Sequence, residues 1–176
     1  TSLGNEAFYM MAIPVVYWCV NRRWGHQVGF VFLGSMWLNG YLKDLFAMPR
    51  PTAEQGVRLV VHEASNGFPS GHAQGAVTLW GYLLLKVCSV WFRCLCIFLI
   101  VMIAISRLYL GAHYLVDVLG GLVIGAAVLA LFMIGFVREW GRTWSKWLKV
   151  ILSIAIPLLL MTLTESEHTY MILGAL

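Results

Sequence analysis

Charge is scarce in this chain. Of its 176 residues only 11% are charged while 60% are hydrophobic, and the mean hydropathy is +0.80. A soluble domain carries about 25% charged residues and is about half apolar, so this balance argues against a soluble fold. Metal-type spacing is also missing. Cys19, Cys88, Cys94 and Cys96 fall in apolar stretches, show neither ligand spacing nor a disulfide framework, and read as free thiols in helices. No internal repeat, low-complexity tract or cleavable signal peptide is visible. The sequence opens at Thr1, without a Met, and an upstream segment is expected.

What the chain has instead is long apolar runs. Crossing a bilayer takes about 20 residues per helix, and residues 3–20, 28–46, 73–90, 94–110, 114–137 and 147–163 qualify. Pro14 and Pro157 interrupt the first and last of these. The expected fold is all-α: a polytopic transmembrane helical bundle of about six helices forming one domain over residues 1–176.

The cations then set a topology. One set of connections carries Arg22, Arg23, Lys86, Arg93, Arg138, Arg142, Lys146 and Lys149; the other carries only Lys43, Arg50, Arg58 and Arg107. The positive-inside rule assigns the first set to the cytoplasm and the second to the extracytoplasmic side. Trp140, Trp144 and Trp147, interleaved with Arg142, Lys146 and Lys149, suit a headgroup-level belt on the inner face. The net charge of +4 is therefore a topology signal, and nucleic-acid binding has no support.

Three polar knots all fall on the outer side at helix ends: "LKDLFAMPRP" (42–51), "FPSGH" (68–72) and "SRLYLGAHYLVD" (106–117). They are expected to converge on one site at the extracytoplasmic ends of the central helices. His113 and Asp117 are four apart and share a helical face. A carboxylate accepting one ring N–H fixes the tautomer and leaves the other nitrogen as nucleophile or base. A plain helix-end ion pair is the simpler alternative. Lys43, Arg50 and Arg107 give three cations with few acids near, which favours an anion, and guanidinium forks match phosphate oxygens. Snorkelling to headgroups would explain any one of them. Ser70 is placed to cap the following helix, and the N–H groups of Ser70 and Gly71 with the Ser70 hydroxyl can cradle an oxyanion. His72 at its edge is positioned to protonate a leaving alkoxide. A metal would draw on His62, Glu63, His72, His113 and Asp117, but no close-spaced ligand pair of zinc type occurs and three cations repel a divalent ion.

Together the three knots resemble the tripartite signature of the type 2 phosphatidic acid phosphatase superfamily, KxxxxxxRP, PSGH and SRxxxxxHxxxD. All eleven specified positions are present in order between Lys43 and Asp117. The hydropathy is similar to that of the membrane branch. The resemblance implies that His113 attacks phosphorus to form a phosphohistidine, Asp117 orients it, and His72 protonates the leaving oxygen. It implies that Lys43, Arg50, Ser70, Gly71 and Arg107 bind the phosphoryl oxygens, with no metal and no cofactor. It also implies a further helix or amphipathic segment ahead of residue 3.

The expected function is hydrolysis of a lipid phosphate or diphosphate at the outer face of the cell membrane. Polyprenyl phosphates or diphosphates, phosphatidylglycerol phosphate and phosphatidic acid are the candidate substrates. The alternatives are a phosphotransferase that uses the same phosphohistidine and a lipid-phosphate binder or transporter without turnover. Binding alone needs only the cations, so the His113, Asp117 and His72 set weighs against the binder. Elsewhere, Gly121 and Gly125 form a GxxxG pair for close helix packing, and Ser35 and Asn39 are expected to hydrogen-bond between helices. Glu54, Arg58, His62 and Glu63 lie in an outer loop over residues 52–68, read as solvent-exposed or as shaping headgroup choice.

Overall fold

The computed structural model describes residues 4–52 and 65–137, with residues 144, 145, 147, 148, 151 and 155. Among the described residues there is no strand, and five helical rods carry the fold. Helix α1 (Glu6–Val15) runs on as a π-helical turn, Val16–Val20. Pro14 lacks the N–H that its turn would donate, and the helix widens just after it. The chain reverses at Asn21, whose extended backbone (φ −163°) and side-chain oxygen, accepting from the Trp24 N–H at 3.1 Å, start α2 (Arg22–Phe46). Helix α3 comprises Gly71–Ala76, a π-helical turn Val77–Gly81, and Tyr82–Lys86. Helices α4 (Val90–Tyr109) and α5 (Leu115–Val137) complete the set.

Hydropathy located these rods but misjudged some ends. Helix α2 begins six residues before the expected start at 28, because a cap, and not the loss of polar residues, sets its first turn. The expected span 73–90 stops at Lys86, where Val87 turns extended (φ −96°, ψ 129°), and the next helix begins at Val90. Of the six spans, two are long and apolar enough by themselves to cross a membrane among the described residues, Val90–Tyr109 and Leu115–Phe136. Helix α2 has the length, at 25 residues, but carries Arg22, Arg23, Gln27, Asn39, Lys43 and Asp44. The sixth expected span, 147–163, falls mostly outside the described residues.

Helix α3 is the centre of the packing, touching α2, α4 and α5. Its small residues permit this: Ala73, Gly75 and Ala76 are buried. Opposite them on α5, a Cβ on Gly121 would stand 2.5 Å from the Ser70 carbonyl oxygen, and one on Gly125 2.8 Å from that of Gln74. The GxxxG pair therefore lets two backbones meet, as expected. A polar layer fixes the α2–α3 register. Asn39 donates to Gln74 Oε1 (2.8 Å) and the Pro69 carbonyl (3.2 Å), and Gln74 donates to the Ser35 carbonyl (2.7 Å) and hydroxyl (2.9 Å). All three side chains are buried, so each unpaired group would carry a desolvation penalty of about 1–3 kcal/mol. Below this layer lies an aromatic core in which Tyr9 of α1 meets Phe32 of α2 at 4.6 Å between ring centres. The outward faces of α4 and α5 are apolar: Trp91 is 87% exposed, with Phe98, Val101, Val116 and Val123 exposed around the same two helices.

Candidate active site

The site is assembled from the ends of four helices, α2 to α5, and the loops beside them. Lys43 stands in the last turn of α2. That helix stops at Ala47 in the left-handed region (φ 44°), its N–H donating to the Lys43 carbonyl at 2.9 Å, and the turn brings Arg50 back toward the bundle. Arg107 is in the last turn of α4 and is 2% exposed. The chain leaves α4 through a Schellman arrangement: the Gly111 N–H donates to the Leu108 carbonyl (3.0 Å) and the Ala112 N–H to the Arg107 carbonyl (3.1 Å). Gly111 takes φ 67°, where a side chain would be strained. His113 follows two residues later, so the helix end fixes the nucleophile candidate relative to Arg107.

His113 is buried, with its two ring nitrogens in different surroundings. Nδ1 lies 3.3 Å from Asp117 Oδ2, and Nε2 lies 3.0 Å from an Arg50 guanidinium nitrogen. A guanidinium only donates, so Nε2 is the acceptor and the ring proton sits on Nδ1, facing the carboxylate. Asp117 Oδ2 also accepts the Tyr114 N–H at 2.9 Å, which holds the carboxylate in place. Burial, followed by the positive charges of Arg50, Lys43, His72 and Arg107, pushes the His113 imidazole down from 6.5 to about 3. The ring is therefore neutral at physiological pH, with a lone pair on Nε2.

Four contacts to described residues hold Arg50. It donates through Nε to the Ser65 carbonyl (2.6 Å), through Nη1 to the Ala112 carbonyl (2.8 Å) and to His113 Nε2, and through Nη2 to the Ser65 hydroxyl (3.0 Å). Lys43 donates to the same hydroxyl (2.9 Å) and to the Asn66 carbonyl (2.9 Å), and the Asn66 amide donates back to the Lys43 carbonyl (3.0 Å). Ser65 and Asn66 were not singled out from the sequence, since a serine and an asparagine in a loop carry no pattern of their own.

Ser70 occupies the N-cap position of α3 but forms no side-chain cap, which corrects the sequence expectation. Its backbone N–H donates to the Asp117 carbonyl at 2.9 Å, so that amide is not available to an oxyanion. Its hydroxyl, fully buried, has no hydrogen-bond partner among the described residues. Gly71 opens α3, where a Cβ would come 3.1 Å from Asn39 Oδ1. His72 is half-buried in the first turn of α3, near enough for its charge to act on His113. Of the eight sequence-identified residues, Arg50 and Asp117 contact His113 directly, Lys43 meets Arg50 through Ser65, and Lys43, His72 and Arg107 lie near enough for their charges to act on the ring; Ser70 is tied to Asp117 through its backbone, and Gly71 lies beside Asn39. Among the described residues no three His, Cys, Asp or Glu side chains group as a metal site requires. His62 and Glu63, Glu54 and Arg58 lie outside the described residues.

A cationic pocket around a carboxylate-oriented imidazole, at one end of a helical bundle, is a site built for anions. The chain belongs to the PAP2 superfamily, whose family model matches residues 24–141. It is similar to a dihydrosphingosine 1-phosphate phosphatase of Schizosaccharomyces pombe, 28% identical over 82% of this chain and 38% of that protein. It is also similar to the lipid phosphate phosphatase delta of Arabidopsis thaliana, 32% identical over 72% of this chain and 34% of that protein. Sphingosine-1-phosphate phosphatase 2 of Mus musculus is 28% identical over 74% of this chain and 39% of its own length. The chain thus spans between 34% and 39% of the length of these relatives. Among solved structures, a transmembrane PAP2 type phosphatidylglycerolphosphate phosphatase from Bacillus subtilis aligns with a TM-score of 0.66 and 28% identity, over 81% of this chain and 75% of that one.

Proposed function

We propose that this chain is the core of an integral membrane phosphatase that hydrolyses a lipid phosphomonoester through a phosphohistidine. The observation that carries the reading is the neutral His113 ring, its Nδ1–H directed at Asp117 and its Nε2 lone pair facing Arg50. An incoming phosphoryl group draws the Arg50 guanidinium onto its oxygens and exposes Nε2. Nε2 then forms the bond to phosphorus as the lipid oxygen leaves, taking a proton from His72. Asp117 stabilises the positive charge that appears on the ring. Water, deprotonated by His72, next attacks the phosphohistidine, releasing inorganic phosphate and restoring both histidines. Lys43, Arg50 and Arg107, with the Ser70 hydroxyl and the Gly71 N–H, bind the charge that accumulates on the phosphoryl oxygens. The scheme uses no metal.

The apolar outer faces of α4 and α5 are read as lipid-facing, and the distribution of Lys and Arg supports an extracytoplasmic site. A tail held in the bilayer then brings its phosphate to the helix ends. The names of the relatives add sphingoid base 1-phosphates to phosphatidic acid, phosphatidylglycerol phosphate and polyprenyl phosphates as substrates. The test is phosphate release by the purified protein in detergent from a panel of these lipids. Release from at least one, abolished in His113→Ala and persisting in a chelator, is the expected result. Binding of the lipids without release would identify a binder instead.

A further inference from the structure

We propose that Ser65 is a phosphate-contacting residue of this site, additional to the three sequence motifs. The inference rests on the phosphatase reading and extends it. The Ser65 oxygen lies 2.9 Å from Lys43 Nζ and 3.0 Å from an Arg50 terminal nitrogen. Ammonium and guanidinium groups only donate, so the hydroxyl oxygen accepts both bonds and both its lone pairs are occupied. Its hydrogen is the one valence remaining, and no acceptor among the described residues takes it.

Two cations on one oxygen polarise its O–H bond and make it a stronger donor toward an anion. The same contacts make Ser65 a cross-link. It joins two side chains that begin seven residues apart, and its carbonyl clamps Arg50 Nε at 2.6 Å. Arg50 in turn reaches His113 Nε2 at 3.0 Å, so the Ser65 hydroxyl is separated from the nucleophile candidate by one guanidinium. A phosphoryl group seated between Lys43, Arg50 and Nε2 meets the Ser65 hydroxyl on the side away from the imidazole. Ser65 then donates to an oxygen that keeps its charge throughout the reaction and holds the two cations convergent on it.

The test compares Ser65→Ala and Ser65→Thr with the unaltered protein in detergent, reading the inhibition constant of orthovanadate, kcat/KM on a lipid phosphomonoester, and the thermal midpoint. Loss of a charge-assisted hydrogen bond predicts that Ser65→Ala weakens orthovanadate binding and lowers kcat/KM by about tenfold or more each. Ser65→Thr, which restores the hydroxyl, is expected to return both to within about threefold. An alanine variant that keeps its orthovanadate affinity overturns the proposal, as does a loss that threonine fails to restore. Calorimetric titration with inorganic phosphate gives the same comparison without turnover. If the unaltered protein releases no phosphate from any lipid, the phosphatase reading falls, while a phosphate affinity that depends on the Ser65 hydroxyl still stands on its own.

Discussion

Arg50 and His113 face each other across 3.0 Å, guanidinium nitrogen to Nε2, and this one contact fixes the state of the ring. Because arginine cannot accept, the imidazole proton must lie on Nδ1, where Asp117 Oδ2 waits 3.3 Å away. The arrangement keeps the Nε2 lone pair turned toward the Arg50 guanidinium. It also joins the first motif to the third through two residues 63 apart in the sequence.

Asp117→Asn tests the carboxylate beside the ring. Oδ2 faces both the His113 Nδ1–H and the Tyr114 N–H, so an amide with its oxygen there keeps both bonds but loses the negative charge, and one with its NH2 there loses both bonds. Substrate binding, which depends on the cations, is expected to change little, while kcat falls by about 100-fold or more. A kcat near that of the unaltered protein would remove Asp117 from the orienting role.

The depressed basicity of His113 makes a statement about stability. In the folded protein the ring titrates near pH 3, whereas in the unfolded chain it titrates near its ordinary value of 6.5. Between these values the unfolded state binds the additional proton, so stability falls as the pH is lowered from about 6.5 toward 3. Above that window both states are neutral and the ring contributes no pH dependence. The maximal slope for one proton is about 1.4 kcal/mol per pH unit. Thermal midpoints in detergent at several pH values between 7 and 4 should therefore decline more steeply for the unaltered protein than for His113→Asn. Parallel declines would show that the ring is not held neutral by the fold.

Gly121 and Gly125 carry the close approach of α5 to α3, and through it the Ser70 N–H bond to the Asp117 carbonyl. Leucine at either position has to push the two backbones apart, since the obstructing atoms are carbonyl oxygens that cannot rotate away. Overpacking of this type costs about 1–3 kcal/mol. Lower thermal midpoints and reduced activity are expected for Gly121→Leu and Gly125→Leu. The equivalent change at Val123, which is 67% exposed on the same helix, is expected to leave both unchanged. Equal effects at all three positions would sink the packing argument.

How much of this was readable beforehand depends on what stands out against an apolar background. Lys43, Arg50, His72, Arg107, His113 and Asp117 were legible because an ionisable side chain at a helix end in such a chain calls for a partner. Asn39 and Ser35 were legible as hydrogen-bonding residues on the same ground, although their shared partner, Gln74, was not. Ser65 and Asn66 were invisible, because their role comes from a loop that folds back onto Lys43 and Arg50, and no local spacing encodes that return. Helix ends were the other failure. Hydropathy registers where lipid-compatible residues run, whereas Asn21, Ala47 and Gly111 end or begin helices through caps and left-handed turns. The Ser70 expectation failed for a related reason: the residue sits at the N-cap, but its amide is drawn to Asp117 and its buried hydroxyl has no hydrogen-bond partner among the described residues.

Gly4 supplies a test of the proposed acid, His72. A Cβ on this buried glycine would lie 2.8 Å from the His72 ring at Cδ2 and 3.3 Å from Ile103 Cγ2. Ile103 belongs to α4 and is buried, so the ring is the part that has to give way. Gly4→Ala therefore displaces His72 without altering any group that binds phosphate. If His72 protonates the leaving oxygen, the damage depends on how much that oxygen needs a proton. An alkoxide leaving from a lipid phosphate needs it fully, and kcat/KM on the lipid is expected to fall by about 10- to 100-fold. Nitrophenolate leaves readily unprotonated, and the rate on p-nitrophenyl phosphate is expected to stay within about threefold of the unaltered protein. Equal losses on both substrates would mean that Gly4 supports the fold of the site as a whole and that His72 has no separate part in the departure of the leaving group.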